Sequence, residues 1–282
     1  MARLTPAERQ LKTRLDALVA SHDAARHREA DPVSFVHRFA SDADREVVGL
    51  LAASLAFGNV KAIRASVARA LAALGPSPAE TIDRLDRPSL EARLEGFVHR
   101  IYRGEHLAAM LASAGAIRRR EGSLGAALAR LLTAHGTLRD ALAELAGELR
   151  GDDPARGLAH LIPDPQAGSA CKRLLLYVRW MVRPADGVDL GLWPLPPSAL
   201  VIPVDTHIHR IAQNLGLTAR RDASWRTAEE ITASLRRFDP DDPVKYDFAI
   251  CHLGVSRQCP SRRDEAKCGA CVLRASCVHW RA

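Results

Sequence analysis

Lysine is scarce in this chain. Its 282 residues include 35 arginines and only five lysines, Lys12, Lys61, Lys172, Lys245 and Lys267. Where positive charge alone is needed the chain writes arginine, so each lysine asks for a reason of its own. A long apolar run is also missing. The longest nearly apolar stretch, Val47 to Val60, is interrupted by Gly, Ser and Asn and falls short of the roughly 18 to 20 residues that cross a bilayer; no membrane segment is expected. The N-terminus, MARLTPAERQLKTRLDALVA, lacks the apolar core and small-residue cleavage site of a secretory signal, which points to a cytoplasmic protein. No internal repeat or low-complexity tract stands out beyond an enrichment in Ala, Arg and Leu.

What is present suits an ordinary globular protein. With 47% apolar and 26% charged residues, the length allows one large domain or two packed lobes around a substantial core. A formal net charge of +7 favours a polyanionic partner, nucleic acid first.

The patterning predicts an all-α fold. Thr5-Pro6-Ala7-Glu8 and Ser77-Pro78-Ala79-Glu80 each place a hydroxyl at the N-cap, Pro at the first helical position and Glu at N3, a helix-start signature. Leu11, Leu15, Leu18 and Val19 form one apolar stripe, and Ile63, Val67, Leu71 and Leu74 another. Further helices are expected at about 42–56, 105–120, 123–134, 138–149, 169–183, 205–215, 225–237 and 243–255. Pro, Gly and Asp concentrate in two loops, 151–168 and 184–203.

Four of the six cysteines fall near the C-terminus as Cys259-x8-Cys268-x2-Cys271-x5-Cys277. In a cytoplasmic setting such a cluster binds metal more readily than it forms disulfides. Four thiolates suit a [4Fe-4S] cluster or a structural Zn site. Zn sites commonly assemble from two close pairs, whereas one C-x-x-C pair flanked by single cysteines favours a compact loop around a cluster, with Zn as the alternative. Cys171 and Cys251 lie in apolar helical segments and read as core. Between the first two cysteines, Arg262, Arg263 and Lys267 offer cations to DNA phosphates, or, more plainly, to solvent beside Asp264 and Glu265.

This cysteine loop, preceded by Phe248-Ala-Ile-Cys-His-Leu-Gly254, resembles that of the endonuclease III branch of helix-hairpin-helix DNA glycosylases. Its first interval, eight residues, exceeds the six of that branch. Pro203-Val204-Asp205-Thr206-His207-Ile208 is similar to the segment whose Asp opens a helix at that family's active site. Gly168-Ser-Ala-Cys-Lys172-Arg falls where the family has its hairpin and catalytic Lys, although Ile162-Pro163-Asp164-Pro165-Gln166-Ala167-Gly168 keeps only one Pro and one Gly of the family turn. The 33-residue interval from Lys172 to Asp205 is closer to archaeal 8-oxoguanine glycosylases. The combination resembles the DUF2400-type branch, and the likeness runs over residues 36 to 277.

The resemblance implies a two-lobed fold. One lobe, 36–185, would hold the helical barrel and hairpin; the other would join 1–35 to 203–282, with the metal loop at 259–277. The implied protein is a monomeric, nucleoid-associated base-excision glycosylase with abasic-site lyase activity on damaged double-stranded DNA. Lys172 would be the amine nucleophile, a role Arg cannot take, and Asp205 would stabilise positive charge at C1′. Each has a plainer reading, Lys172 as a phosphate contact and Asp205 as an N-cap. Base release by Asp205 and water alone, or a non-enzymatic iron-sulfur DNA-binding module, are the alternatives. Phe57 or Asn59 would fill the void left by an extruded nucleotide, with Lys61, Arg64, Gly168, His207, Arg262 and Arg263 on the DNA. Trp193 would stack on the base.

Overall fold

Helix starts are written into the chain locally, and most are capped as their sequence dictates. A computed structural model describes residues 3–152, 155–256 and 259–280; residues 153 and 154, inside the first expected loop, lie outside them. Helix α1 (Pro6–Ser21) opens with the full reciprocal cap: Thr5 Oγ1 accepts from the Glu8 N–H at 3.2 Å, and the Glu8 carboxylate accepts from the Thr5 N–H at 2.7 Å. After α2 (Ala24–Ala30), a 3-10 segment Pro32–Arg38, α3 (Asp42–Ser54) and α4 (Val60–Leu74), the second signature behaves differently. Helix α5 (Pro78–Arg84) does begin at its Pro, but Ser77 makes no side-chain cap. The Ala79 N–H instead donates to Asp44 Oδ1 of α3 at 2.9 Å, so a neighbouring helix supplies the acceptor.

The chain continues through α6 (Arg87–Arg93), a hairpin of β1 (Val98–His99) and β2 (Tyr102–Arg103), and α7 (Gly104–Glu121). Next come α8 (Leu124–His135), α9 (Leu138–Arg150), α10 (Arg156–Leu161) and α11 (Lys172–Val182). The last helices are α12 (Thr206–Leu215), α13 (Trp225–Arg236), α14 (Asp247–Val255) and α15 (Glu265–Cys268). The described residues are thus mostly helical, and no helix among them is long and apolar enough to cross a membrane.

Helix α3 lies at the centre because it is apolar on every face. Glu46 through Ser54 are all buried, and the 3-10 segment, α4, α5 and α11 pack around them. Gly49 permits the close approach of α11: a Cβ there would stand 2.7 Å from Met181 Cε and 3.1 Å from Tyr177 Cε2. Helix α7 packs on α5, α6, α8 and α9, while α14 meets α1, α2 and α12. The N-terminal helix also reaches the C-terminal loop, where Arg14 Nη1 donates to the Val272 carbonyl at 2.9 Å. Buried apolar side chains from Leu11 to Leu273 form one continuous cluster.

Two buried ionic networks interrupt that cluster. Glu46 accepts from Arg118 Nη1 (2.5 Å), the Gly125 N–H (3.0 Å) and Trp193 Nε1 (2.8 Å). Arg179 pairs with Asp189 and Asp247, and Arg183 with Asp186, Asp189 and Asp242. Removing one partner from either would strand a buried charge.

Candidate functional site

The hairpin between α10 and α11 decides where Lys172 goes. The chain leaves α10 at Ile162, makes a 3-10 turn at Pro165–Ala167 with Asp164 Oδ1 accepting from the Gln166 N–H at 2.8 Å, and reverses at Gly168, whose φ of +84° a side chain would strain. Ser169 then bridges Ser224, and the Trp225 N–H donates to the Gly168 carbonyl at 3.2 Å. Cys171 takes a left-handed conformation, φ +46°, rare for a residue with a Cβ. The expected helix 169–183 is therefore delayed to Lys172, its first residue. This turn sets Lys172 on the wall of a cleft of about 530 Å³, which Phe57, His160, Ser169, Arg173 and Val204 also line.

Lys172 is half-buried and, among the described residues, has no hydrogen bond or ion pair. Lys12, Lys245 and Lys267 each pair with an aspartate, and Lys61 is exposed. The charge of Lys172 reaches two groups. Burial raises the Asp31 carboxyl above its ordinary range, while Arg179, Lys172 and Arg64 pull it down. Burial pushes the Cys251 thiol well up, reinforced by Asp205 and Asp247 and opposed by Lys172. Cys251 Sγ lies 3.9 Å from Asp205 Oδ2. Lys172, Asp31, Cys251 and Asp205 thus share one electrostatic neighbourhood, built from α11, the segment before the 3-10 turn, α14 and the start of α12.

Asp205 is the N-cap of α12. Its Oδ1 accepts from the His207 N–H at 2.9 Å and the Ile208 N–H at 2.8 Å. Its neighbour Val204, rather than Asp205 itself, lines the cleft. His207 presses its Cβ against Gly254, where an added Cβ would stand 2.6 Å away, and its Nδ1 is buried without a partner among the described residues.

The other expected contacts are distributed unevenly. Phe57 is half-buried on the cleft wall, its ring centroid 4.6 Å from the Arg100 guanidinium carbon and 5.8 Å from that of Arg173. Asn59 caps α4, its Oδ1 accepting from the Lys61 N–H at 2.9 Å, and both are exposed. Arg64 turns inward: its Nη1 donates to the Glu29 and Asp31 carbonyls and to Ser34 Oγ, which anchors the segment carrying Asp31. Arg262 is exposed, whereas Arg263 pairs with Glu265 and stacks on Trp280 at 3.9 Å.

Trp193 is a correction. It is 5% exposed, its Nε1 donates to Glu46, and its ring meets Tyr177 edge-on at 4.9 Å. It does not line the cleft, so an extruded base has no access to its face. The indole sits where it does because the acid Glu46 must be satisfied inside an apolar helix bundle.

Sequence reasoning missed Asp31, Cys251 as a partner of Asp205, and the β1–β2 tip. Asp31-Pro32 reads as a plain turn, and nothing local marks its proximity to Lys172. The tip lacks the Gly or Asn that announces a tight hairpin. Arg100 nevertheless adopts φ +55°, with Ile101 51% exposed beside it and Val98 43% exposed. A strained turn thus presents an isoleucine and an arginine to solvent next to Phe57.

The cysteine loop makes its own pocket. Cys259, Cys268, Cys271 and Cys277 are all half-buried and line one cavity of about 30 Å³ together with Ile211, Leu215, Leu253 and Leu273. Burial raises the Cys259 thiol, with Arg210 opposing and Cys271 and Cys277 reinforcing; burial likewise raises Cys271, with Cys268 and Cys277 adding to the rise. The four sulfurs therefore sense one another, with Arg262 and Arg274 on the same walls. Four soft donors, an apolar floor and adjoining cations fit a thiolate-ligated metal group. Among the described residues no set of three or more His, Cys, Asp or Glu is drawn together tightly enough to hold a single ion.

No curated protein and no solved structure matches the chain. Residues 31–256, which include Asp31, Phe57, Lys172, Asp205 and Cys251 and end before the first cysteine of the loop, match the family described as "Protein of unknown function (DUF2400)", and the chain belongs to that family.

Proposed function

We propose that the protein is a DNA base-excision glycosylase with abasic-site lyase activity, acting on an oxidised base. The observation that carries this reading is the unpaired, half-buried Lys172 on the wall of a cleft, in a chain that otherwise spends arginine wherever it needs charge. In the proposed reaction Lys172 gives up a proton, and its amine attacks C1′ as the base leaves. The positive charge that develops at the sugar is stabilised by the Asp205 carboxylate. The resulting Schiff base allows β-elimination, which breaks the 3′ C–O bond of the strand. Extrusion of the nucleotide needs something to fill the gap. Phe57, flanked by Arg100 and Arg173, and the exposed Ile101 at the hairpin tip have the apolar surface and neighbouring charge for that task.

Cys259, Cys268, Cys271 and Cys277 would hold a [4Fe-4S] cluster, whose contribution is to fix the C-terminal loop and its exposed Arg262 beside α12. Brown protein with absorbance near roughly 400 nm after anaerobic purification is the expected signature of thiolate-ligated iron. Colourless protein carrying one Zn would replace the cluster with the Zn alternative.

Borohydride trapping tests the chemistry on oligonucleotides carrying 8-oxoguanine, thymine glycol or an abasic site. A covalent adduct lost in Lys172→Ala is the expected result, with thermal stability nearly unchanged because Lys172 has no bond to lose. Base release without an adduct would assign the chemistry to Asp205 and water. Tight DNA binding with no release from any lesion would leave only the binding module.

A further inference from the structure

His160 lies beside Lys172's cleft with one ring nitrogen committed and the other open. It is exposed on α10, lines the cleft, and its ring centroid is 5.2 Å from that of Phe57. Its Nδ1 is 2.7 Å from the hydroxyl of Tyr102, a fully buried residue on β2. The same hydroxyl accepts from Arg173 Nη1, and that nitrogen also donates to the Ser54 carbonyl at 3.0 Å while Nη2 donates to the His160 carbonyl.

The direction of the relay follows from what each group can do. Arginine only donates, so the Tyr102 oxygen accepts from it. If His160 Nδ1 also donated to that oxygen, the Tyr102 proton would be left in the interior with no acceptor, at the cost of an unmade hydrogen bond. Tyr102 therefore donates to Nδ1, and the imidazole carries its proton on Nε2. Both ends hold the required protonation. Burial raises the Tyr102 hydroxyl above its ordinary value, with Arg173 opposing, and burial together with the Arg173 charge keeps the His160 pKa below its own, so the ring is neutral at pH 7.

We propose that Arg173 and Tyr102 lock His160 as a neutral Nε2–H donor in the cleft, where it binds a carbonyl oxygen of an extruded base whose ring lies against Phe57. A base carbonyl suits the site better than a phosphate: the donor carries no charge, and the guanidinium of Arg173 is turned inward onto protein acceptors. The base rests on the glycosylase reading; the tautomer does not.

Two measurements decide it. Long-range proton–nitrogen NMR of the free protein should show His160 protonated on Nε2, and Tyr102→Phe should release that preference; a ring protonated on Nδ1 overturns the relay. Binding is then compared on duplexes carrying 8-oxoguanine, thymine glycol or a tetrahydrofuran abasic analogue, with uncleavable 2′-fluoro sugars at the base lesions. His160→Ala should weaken the best-bound base lesion by about tenfold, His160→Gln should restore most of it, and the abasic analogue, which has no carbonyl, should change by less than about twofold. Equal loss on the abasic analogue would make His160 a phosphate contact, and unchanged binding on every duplex would leave it no contact at all; either overturns the proposal. Failure of the wild-type protein to release any base or trap any adduct would sink the glycosylase reading separately.

Discussion

Replacing Trp193 with Phe separates a structural tryptophan from a base-reading one. In the fold its indole N–H donates to Glu46 Oε1 at 2.8 Å in a 5% exposed position, and its edge contact with Tyr177 has centroids 4.9 Å apart. Phenylalanine keeps an aromatic ring there but loses the hydrogen bond to a charged acceptor, about 1.5–3 kcal/mol, and leaves a small void where the larger indole was. The Gly125 N–H and Arg118 still satisfy Glu46, which keeps the cost from rising to that of a stranded buried charge. A loss of about 3 kcal/mol corresponds to a Tm lower by roughly 6 to 12 °C for a chain of this size. Calorimetry or denaturant unfolding measures that loss, and DNA binding per folded molecule should stay as in wild type. A variant of unchanged stability whose affinity for lesion-containing DNA drops would refute the burial argument and return Trp193 to the binding site.

Gly254→Ala places a Cβ 2.6 Å from that of His207 and should push α14 from α12 at a cost of about 1–3 kcal/mol. The same shift should reduce adduct trapping, because Cys251 and Asp205 lie across that contact; full activity with wild-type stability would show that the two helices tolerate separation. A histidine cluster gives a pH prediction. His22, His27 and His252 pack with ring centroids 4.4–5.4 Å apart, and burial, followed by the neighbouring imidazoles for His22, lowers His22 and His252 to about 4. The unfolded chain therefore takes up protons first as pH falls, so the stability these residues carry is complete above about pH 6.5 and is lost towards pH 4. Relative to wild type, the double variant His22→Asn, His252→Gln should lose about 1 kcal/mol less between pH 6.5 and 5, after discounting for solvent around the half-buried His22. Asp247, raised to about 6 by burial, titrates in the opposite sense but is common to both proteins; parallel pH profiles would disprove the cluster's role.

Elements with strong local signals were legible in the sequence. Thr5 and Glu8 make the reciprocal cap their spacing announces, and the apolar run Val47–Ala53 is the fully buried centre of α3. Helices α2, α6 and α10 went unseen because six or seven residues give too few turns for an apolar stripe to repeat. The Ser77 cap failed for a tertiary reason, since Asp44 from another helix takes the N–H that Ser77 was expected to satisfy. At the site, Lys172 stood out by its rarity and the cysteines by their spacing, but Asp31 and Cys251 gain their meaning only from three-dimensional proximity. Trp193 misled because a tryptophan in a Pro- and Gly-rich loop looks exposed, whereas a buried glutamate over a hundred residues earlier draws it into the core.

Asp205 shows why a plain structural role and a chemical one need not compete. The N-cap reading is satisfied on one oxygen: Oδ1 takes both the His207 and Ile208 amides at 2.9 and 2.8 Å. Two amides from consecutive residues fix the plane and position of the carboxylate more firmly than one would, which is the preorganisation that electrostatic catalysis requires. The other oxygen is left with only the weak Cys251 contact at 3.9 Å, on the side where Lys172 makes its charge felt through the same thiol. Substitution by Asn retains a cap on Oδ1 but replaces the second oxygen with an amide, so Asp205→Asn should keep most of the helix-start stability, within about 1 kcal/mol. It should abolish base release in the proposed reaction. If both properties fell together, the cap would be the whole function of Asp205; if release survived, the positive charge at C1′ would have to be met by another carboxylate, and Asp31 would be the first to replace.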